Sequence, residues 1–292
     1  MILNNKAKGI LCILSAAFFF TLMNMFIRLA GDLPSIEKAF FRNFIAFFFA
    51  FAIILKDKIS VKPQKETFIF LFLRAATGTL GVICNFYAVD HLALSDASML
   101  NKMSPFFALV LSYFFLKEKI TPVQAGAVIV AFIGCLLVIK PSFSNVDLIP
   151  SIIGFTGGLG AGAAYTCVRH LSKRGVRGPV IVFYFTIFSS LVTFPLMMLN
   201  FKMFTPIQFL FLMLTGFTAA AGQFSITAAY SFAPASELSV YDYSQVIFSA
   251  IIGYLVFTQL PDKLSFLGYI IIISMAVFMF FYKPKSKQEK ET

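Results

Sequence analysis

Tryptophan is absent from this sequence, histidine occurs twice, cysteine four times, and only 13% of the 292 residues are charged. Each scarcity excludes something. So little charge beside 59% hydrophobic residues and a mean hydropathy of +0.86 leaves too few polar side chains to cover a water-soluble fold, which points to a bilayer. Cys12, Cys84, Cys135 and Cys167 stand inside apolar runs with no paired spacing, so neither a disulfide framework nor a zinc site is expected, and no cofactor is called for. His91 and His170 sit at the ends of apolar runs, where a solvated imidazole is the ordinary state, and no Ser-His-Asp spacing exists to suggest an enzyme. Without tryptophan, any interfacial aromatic belt must come from 39 Phe and 10 Tyr.

What is present is a series of apolar runs separated by short basic clusters. The net charge of +11 therefore follows the pattern that membrane insertion selects, and no nucleic-acid partner is expected. At about 20 apolar residues per crossing, ten spans are read: 9–30, 35–55, 67–89, 92–116, 121–139, 150–170, 179–199, 207–230, 235–257 and 264–282. Lys6 and Lys8 before the first run imitate a secretory signal, but the run continues to Ala30, longer than a signal core of about 7–15 residues, so it is expected to stay as span one. The fold class expected is an all-α polytopic membrane protein.

One set of span ends carries sixteen Lys and Arg residues, among them Lys56, Lys58, Lys62, Lys65, Arg169, Lys173, Arg174 and Arg177. The opposite ends carry Lys140, Lys202 and Lys263, with Arg28 at a helix end. This asymmetry places both termini in the cytoplasm. The chain also repeats itself. The stretch Tyr87 to Glu118 returns as Tyr230 to Gln259, so that at a shift of 141 Ser95, Asp96, Ser98, Phe107 and Tyr113 meet Ser236, Glu237, Ser239, Phe248 and Tyr254. At a shift of 145, Gly9, Ala16, Thr21, Pro34 and Phe40 meet Gly154, Ala161, Thr166, Pro179 and Phe185. Five spans per copy is an odd number, so residues 1–140 and 141–292 are read as two inverted five-helix repeats, an architecture recurrent in secondary transporters.

Spans five and ten hold no charge away from their ends and are expected to face lipid, or each other in a homodimer. Gly154, Gly158 and Gly162 form a smooth ridge on span six, suited to close approach of a helix or solute. The same Gly-Gly-Leu-Gly-Ala-Gly string is not read as a nucleotide loop, since no strand precedes it.

Ionisable groups inside spans are costly and mark an interior or a water-filled cavity. Arg42 and Lys102 lie roughly 10–15 Å from the outer face, and Arg74 and Asp242 roughly 10 Å from the inner one, which suggests two layers of charge. Arg42 and Arg74 have the alternative of snorkelling to headgroups, and Glu37, Lys38 and Asp96 lie close enough to the interface for solvation. Asp242 is too short to snorkel and Lys102 too deep, so these two are expected to face a cavity. Tyr241 and Tyr243 flank Asp242 but diverge from it on a helix, so one of the three aims directly inward. The candidate substrate-binding set is Arg42, Arg74, Asn101, Lys102, Asp242 and Tyr243, with Asp242 and Glu237 as candidates for coupling. The Arg-rich interior suggests a solute with a carboxylate, or a zwitterion. A neutral or cationic drug is the alternative. Asp242 is expected either to carry a coupling proton or to form a fixed ion pair with Arg74. A membrane enzyme and a transport-inactive receptor are the other classes to test.

The fourth-span pattern with Ala93, Pro105 and Lys117-Glu118, and its ninth-span echo ending Phe257-Thr258-Gln259, resemble the EamA-type carriers of the drug/metabolite transporter superfamily over residues 9–282. That family more usually has Glu where this chain has Gln259. More narrowly, Glu37-Lys38-Ala39-Phe40-Phe41-Arg42, Leu73-Arg74, Ser249-Ala250-Ile251-Ile252-Gly253-Tyr254 and Pro261-Asp262-Lys263 resemble the branch containing bacterial S-adenosylmethionine carriers. That branch often has a basic residue where this chain has Asp242. The resemblance implies a plasma-membrane carrier of a small organic solute, with a central cavity lined by spans one to four and six to nine.

Overall fold

The computed structural model describes residues 4–91, 100–139, 148–258 and 263–282. Among these, all regular structure is helical: α1 (Asn5–Leu29), α2 (Ser35–Lys56), α3 (Lys65–His91), α4 (Ser104–Leu116), α5 (Pro122–Ile139), α6 (Leu148–Lys173), α7 (Gly178–Leu199), α8 (Pro206–Phe232), α9 (Ala235–Asp242), α10 (Ser244–Phe257) and α11 (Lys263–Phe281). With α9 and α10 taken as one span, eight crossings are long and apolar enough for a membrane, and Ser104–Leu116 and Pro122–Leu137 are shorter apolar helices. Asp96, Ala93, Gln259, Pro261, Asp262, Lys140 and the basic tail from Lys283 lie outside the described residues.

The helix ends are written locally. Thr205 and Gln208 form a reciprocal capping box ahead of Pro206, and Thr121 and Gln124 exchange the same pair of bonds at 3.2 and 2.9 Å ahead of Pro122. At the other ends of α4 and α10, Lys117 and Thr258 both take the left-handed conformation at φ 52°, 141 positions apart.

Spans four and nine, expected as continuous helices, are interrupted. The turn at Lys102-Met103 precedes Pro105, which has no N–H to offer Asn101 and whose ring crowds that carbonyl. In the second copy Val246 bonds Tyr243 O at 3.0 Å, three residues back rather than four, and α9 gives way to α10. The backbone stays right-handed at both places, with Met103 at φ −74° and Tyr243 at φ −66°. The interruptions thus tighten one turn without unwinding it.

Packing exchanges the two copies. α1 lies along α8 as α3 lies along α6, while α2 meets α7 and α5 meets α11. The α2–α7 seam is aromatic, with Phe47 and Phe183 rings 5.5 Å apart and Phe40 and Phe194 5.6 Å apart. Spans five and ten therefore pair within one chain: a Cβ on Gly134 would stand 3.0 Å from Gly268 O. Their outer faces, with Ile129, Ile133, Ile270, Ile273 and Phe278, stay exposed.

The span-six ridge receives α4. A Cβ on Gly162 would meet Phe107 Cβ at 2.6 Å and the backbone of Ser104 and Ala108 at 2.9 Å, while Gly160 and Gly157 serve α3 on the neighbouring face. Gly162→Val should therefore abolish folded protein, since backbone rather than a flexible side chain must yield. Gly126, with nothing within 4 Å of its would-be Cβ, should accept Ala with a stability change within about 1 kcal/mol. Size-exclusion profiles and thermal melts of the two variants check this contrast.

Candidate functional site

The helix arrangement encloses a cavity of about 700 Å³. Its mouth lies at the α1–α2 turn, with Arg28, Gly31, Asp32, Ser35 and Lys38 on one side and Phe257 on the other. The Arg28 guanidinium rests 4.4 Å from the Phe257 ring, and Lys38 Nζ donates to Gly31 O at 2.7 Å. Among the described residues none at the opposite end lines it. There Glu118 accepts from Arg169 Nε at 3.0 Å and pairs with Lys173 Nζ at 2.6 Å, and Arg169 Nη1 donates to Ser231 O at 3.1 Å, tying the ends of α4, α6 and α8 together.

Five of the six candidate binding residues line the cavity: Arg42, Arg74, Asn101, Lys102 and Asp242. Tyr243 does not. It is fully buried in the core and its ring faces Phe132 of α5 at 6.2 Å, because Asp242 takes the inward direction and the next residue is carried about 100° away. Glu237 is buried in the first turn of α9 and is also absent from the lining.

Arg42, on α2, is 7% exposed, and its contacts are neutral. Nη1 donates to Asn43 Oδ1 at 3.0 Å and Nε points at Met23 Sδ at 3.3 Å. Asn43 is held in turn by donating to Ser189 Oγ at 2.8 Å and Ala39 O at 3.1 Å, which orients the guanidinium. Arg74, on α3, is 2% exposed; it lies 4.2 Å from the Phe185 ring centre, and its Nε and Nη1 have no hydrogen-bond partner among the described residues. Neither arginine snorkels to a membrane surface. Two guanidinium groups thus face one cavity, and among the described residues neither is paired with a carboxylate.

Asp242 pairs with Lys102 and not with Arg74. Lys102 Nζ stands 3.9 Å from Asp242 Oδ2, 3.4 Å from Asp242 O and 2.5 Å from Gln245 Oε1. This contact replaces the two layers of charge expected from the spans, since a residue reckoned from the outer face touches one reckoned from the inner face. The two meet where both spans are interrupted. Glu37, expected to be solvated, is instead 0% exposed: the segment before α8 folds over it, and Lys202 N donates to its carboxylate at 3.3 Å.

Sequence reading passed over Asn43, Gln245, Gln223 and Tyr165. The signal for Gln245 was available, three residues after Asp242 and so on its face. Asn43 offered a second one, a polar side chain beside Arg42 in a run of Phe. Among the described residues no group of His, Cys, Asp and Glu is arranged to hold a metal.

A model of the EamA-like transporter family matches residues 7–140 and again 148–281. The pseudopaline exporter CntI of Pseudomonas aeruginosa is 31% identical over 275 residues, covering 94% of this chain and 96% of that protein. An S-adenosylmethionine uptake transporter of Rickettsia bellii is 26% identical over 270 residues, covering 90% and 89%. A solved crystal structure superimposes with a TM-score of 0.82 at 12% identity over 92% of this chain and 94% of that one, a likeness of fold.

Proposed function

The chain belongs to the EamA-like transporter family, as a multi-pass membrane protein with transporter relatives, and we propose that it is a secondary active carrier of a small polar metabolite bearing a carboxylate or zwitterionic. The observation that carries the proposal is the pair of buried guanidinium groups, Arg42 and Arg74, which face one cavity and pair with no carboxylate among the described residues. A planar fork binds a carboxylate by two charge-assisted hydrogen bonds, and in a site of low dielectric an arriving anion is the natural complement. Among the described lining residues Arg28, Lys38, Arg42, Arg74 and Lys102 face only Asp32 and Asp242. Asp242 favours a second reading, a cationic drug-like solute, but its pairing with Lys102 weighs against that. The relatives carry the names of an exporter and of uptake transporters, and a cavity of this design serves import, export or exchange.

A thermal-shift screen of the purified protein against metabolites tests the solute class. Stabilising compounds should carry a free carboxylate, and their methyl esters should lose the effect; a screen whose hits are neutral or cationic would replace the solute proposed.

Alternating access by two inverted halves, 1–140 and 141–292, is part of the same proposal, with both termini in the cytoplasm of a cell whose plasma membrane holds the chain. It is supported by the basic asymmetry of the span ends, the exchange of helix pairs between copies, and the interruptions and left-handed caps recurring at a shift of 141. A homodimer would use the exposed faces of α5 and α11. In a Cys-free background, Ser144→Cys and Ser286→Cys should label from opposite sides of the membrane; labelling from one side would end the inverted arrangement.

A further inference from the structure

The Lys102 ammonium has three oxygens around it: it donates to Gln245 Oε1 and Asp242 O, and Asp242 Oδ2 stands 3.9 Å away as its ion partner. Their source is informative. Val246 takes Tyr243 O, one residue closer than the regular helical pattern, so the Asp242 carbonyl at the end of α9 turns to Lys102. A carboxylate, a released main-chain carbonyl and an amide oxygen at an interrupted helix form the set of hard oxygen donors that a small monovalent cation takes in carriers with discontinuous helices. The place is secluded but belongs to the cavity, with Lys102 12% and Asp242 7% exposed at the side chain. Thr21 of α1 stands beside it, its hydroxyl 3.5 Å from the main-chain oxygen of Gln245.

We propose that Lys102 is a tethered cation: its ammonium occupies, in every copy of the protein, a site that would otherwise bind a small monovalent cation from solution. The consequence within the carrier reading, on which the functional meaning rests, is a transporter indifferent to Na⁺ and K⁺. Lys102 sits on one repeat and its oxygens on the other, so the tether also joins the two interrupted spans. When the halves exchange conformations, the ammonium leaves these oxygens without any ion being released to water.

The test is a binding measurement that needs no transported solute. Lys102→Ala should empty the site and make the purified protein respond to methylammonium chloride and sodium chloride by a rise of a few degrees in melting temperature, measured against choline chloride at equal ionic strength, because the methyl groups of choline hold its charge away from the oxygens and leave it no N–H to donate. Wild type should give the same melting temperature in all three salts. Lys102→Ala/Asp242→Asn, which removes both charges, should fold at least as well as Lys102→Ala in choline and lose the cation response. A Lys102→Ala protein that melts alike in all three salts overturns the proposal. So does one that cannot be purified in any of them, since a free cation then fails to replace the tether. Failure here leaves the solute reading at Arg42 and Arg74 standing, and absence of transport leaves the salt response unexplained by anything but this site.

Discussion

Arg42→Gln and Arg74→Gln should each weaken binding of a carboxylate-bearing solute by about 10- to 100-fold, the equivalent of losing a hydrogen bond to a charged group worth about 1.5–3 kcal/mol. Arg42→Lys and Arg74→Lys separate charge from geometry. Lysine keeps the positive charge but loses the planar fork, so the Lys variants should fall between wild type and Gln if attraction alone matters, and near Gln if the two-point contact matters. The second outcome is expected at Arg74, whose Nε and Nη1 have no partner among the described residues and whose flat face is held against Phe185. Asn43→Ala should act through Arg42, weakening binding less than Arg42→Gln does, because it frees the guanidinium without removing it. Dissociation constants from calorimetry on folded variants check the series. Normal binding and transport by both Gln variants would show that neither arginine reads the solute.

The second large effect is expected at Asp242. If its carboxylate takes up a proton in one conformation and gives it up in the other, Asp242→Asn should abolish accumulation driven by a pH gradient in proteoliposomes while leaving solute counterflow intact. Its ion partner is Lys102 at the α4 interruption, and Arg42 on α2, Arg74 on α3 and Tyr165 on α6 line the same cavity. Lys102 is the close one, 3.9 Å from Oδ2, so coupling would act at the step that parts the two side chains. A purely structural pair predicts a different result. Asp242→Asn would then cost about 3–5 kcal/mol by leaving a buried ammonium uncompensated, and pH-driven accumulation would persist in whatever protein still folds. Persistence in the mutant ends the coupling role.

The spans, their ends and the repeat were legible because each depends on local composition: twenty apolar residues, a proline or basic cluster, and the same letters 141 positions on. The convergence of Arg42, Arg74, Asn101, Lys102 and Asp242 was legible too, since hydrocarbon leaves polar groups only the interior. What escaped were choices made between distant segments. Whether Asp242 meets Arg74 or Lys102 is decided by the depth at which two interrupted spans cross, and a helix ruler of 1.5 Å per residue placed Lys102 and Asp242 in different layers. The interruption at Tyr243 has no proline to announce it, only the echo of Pro105 in the other copy. Glu37 looked solvated because nothing nearby hinted that the chain around Lys202, 165 residues later, would cover it.

Counterflow in sealed proteoliposomes tests the central claim most directly. Vesicles loaded with the unlabelled carboxylate compound that gives the largest thermal shift should take up the labelled compound from outside, faster than empty vesicles do, lose it when permeabilised, and return it chemically unchanged. Arg74→Gln vesicles should show little of this uptake. Binding without exchange would make the protein a receptor, and chemical conversion of the compound in detergent would make it an enzyme; either result contradicts a carrier that works by alternating access.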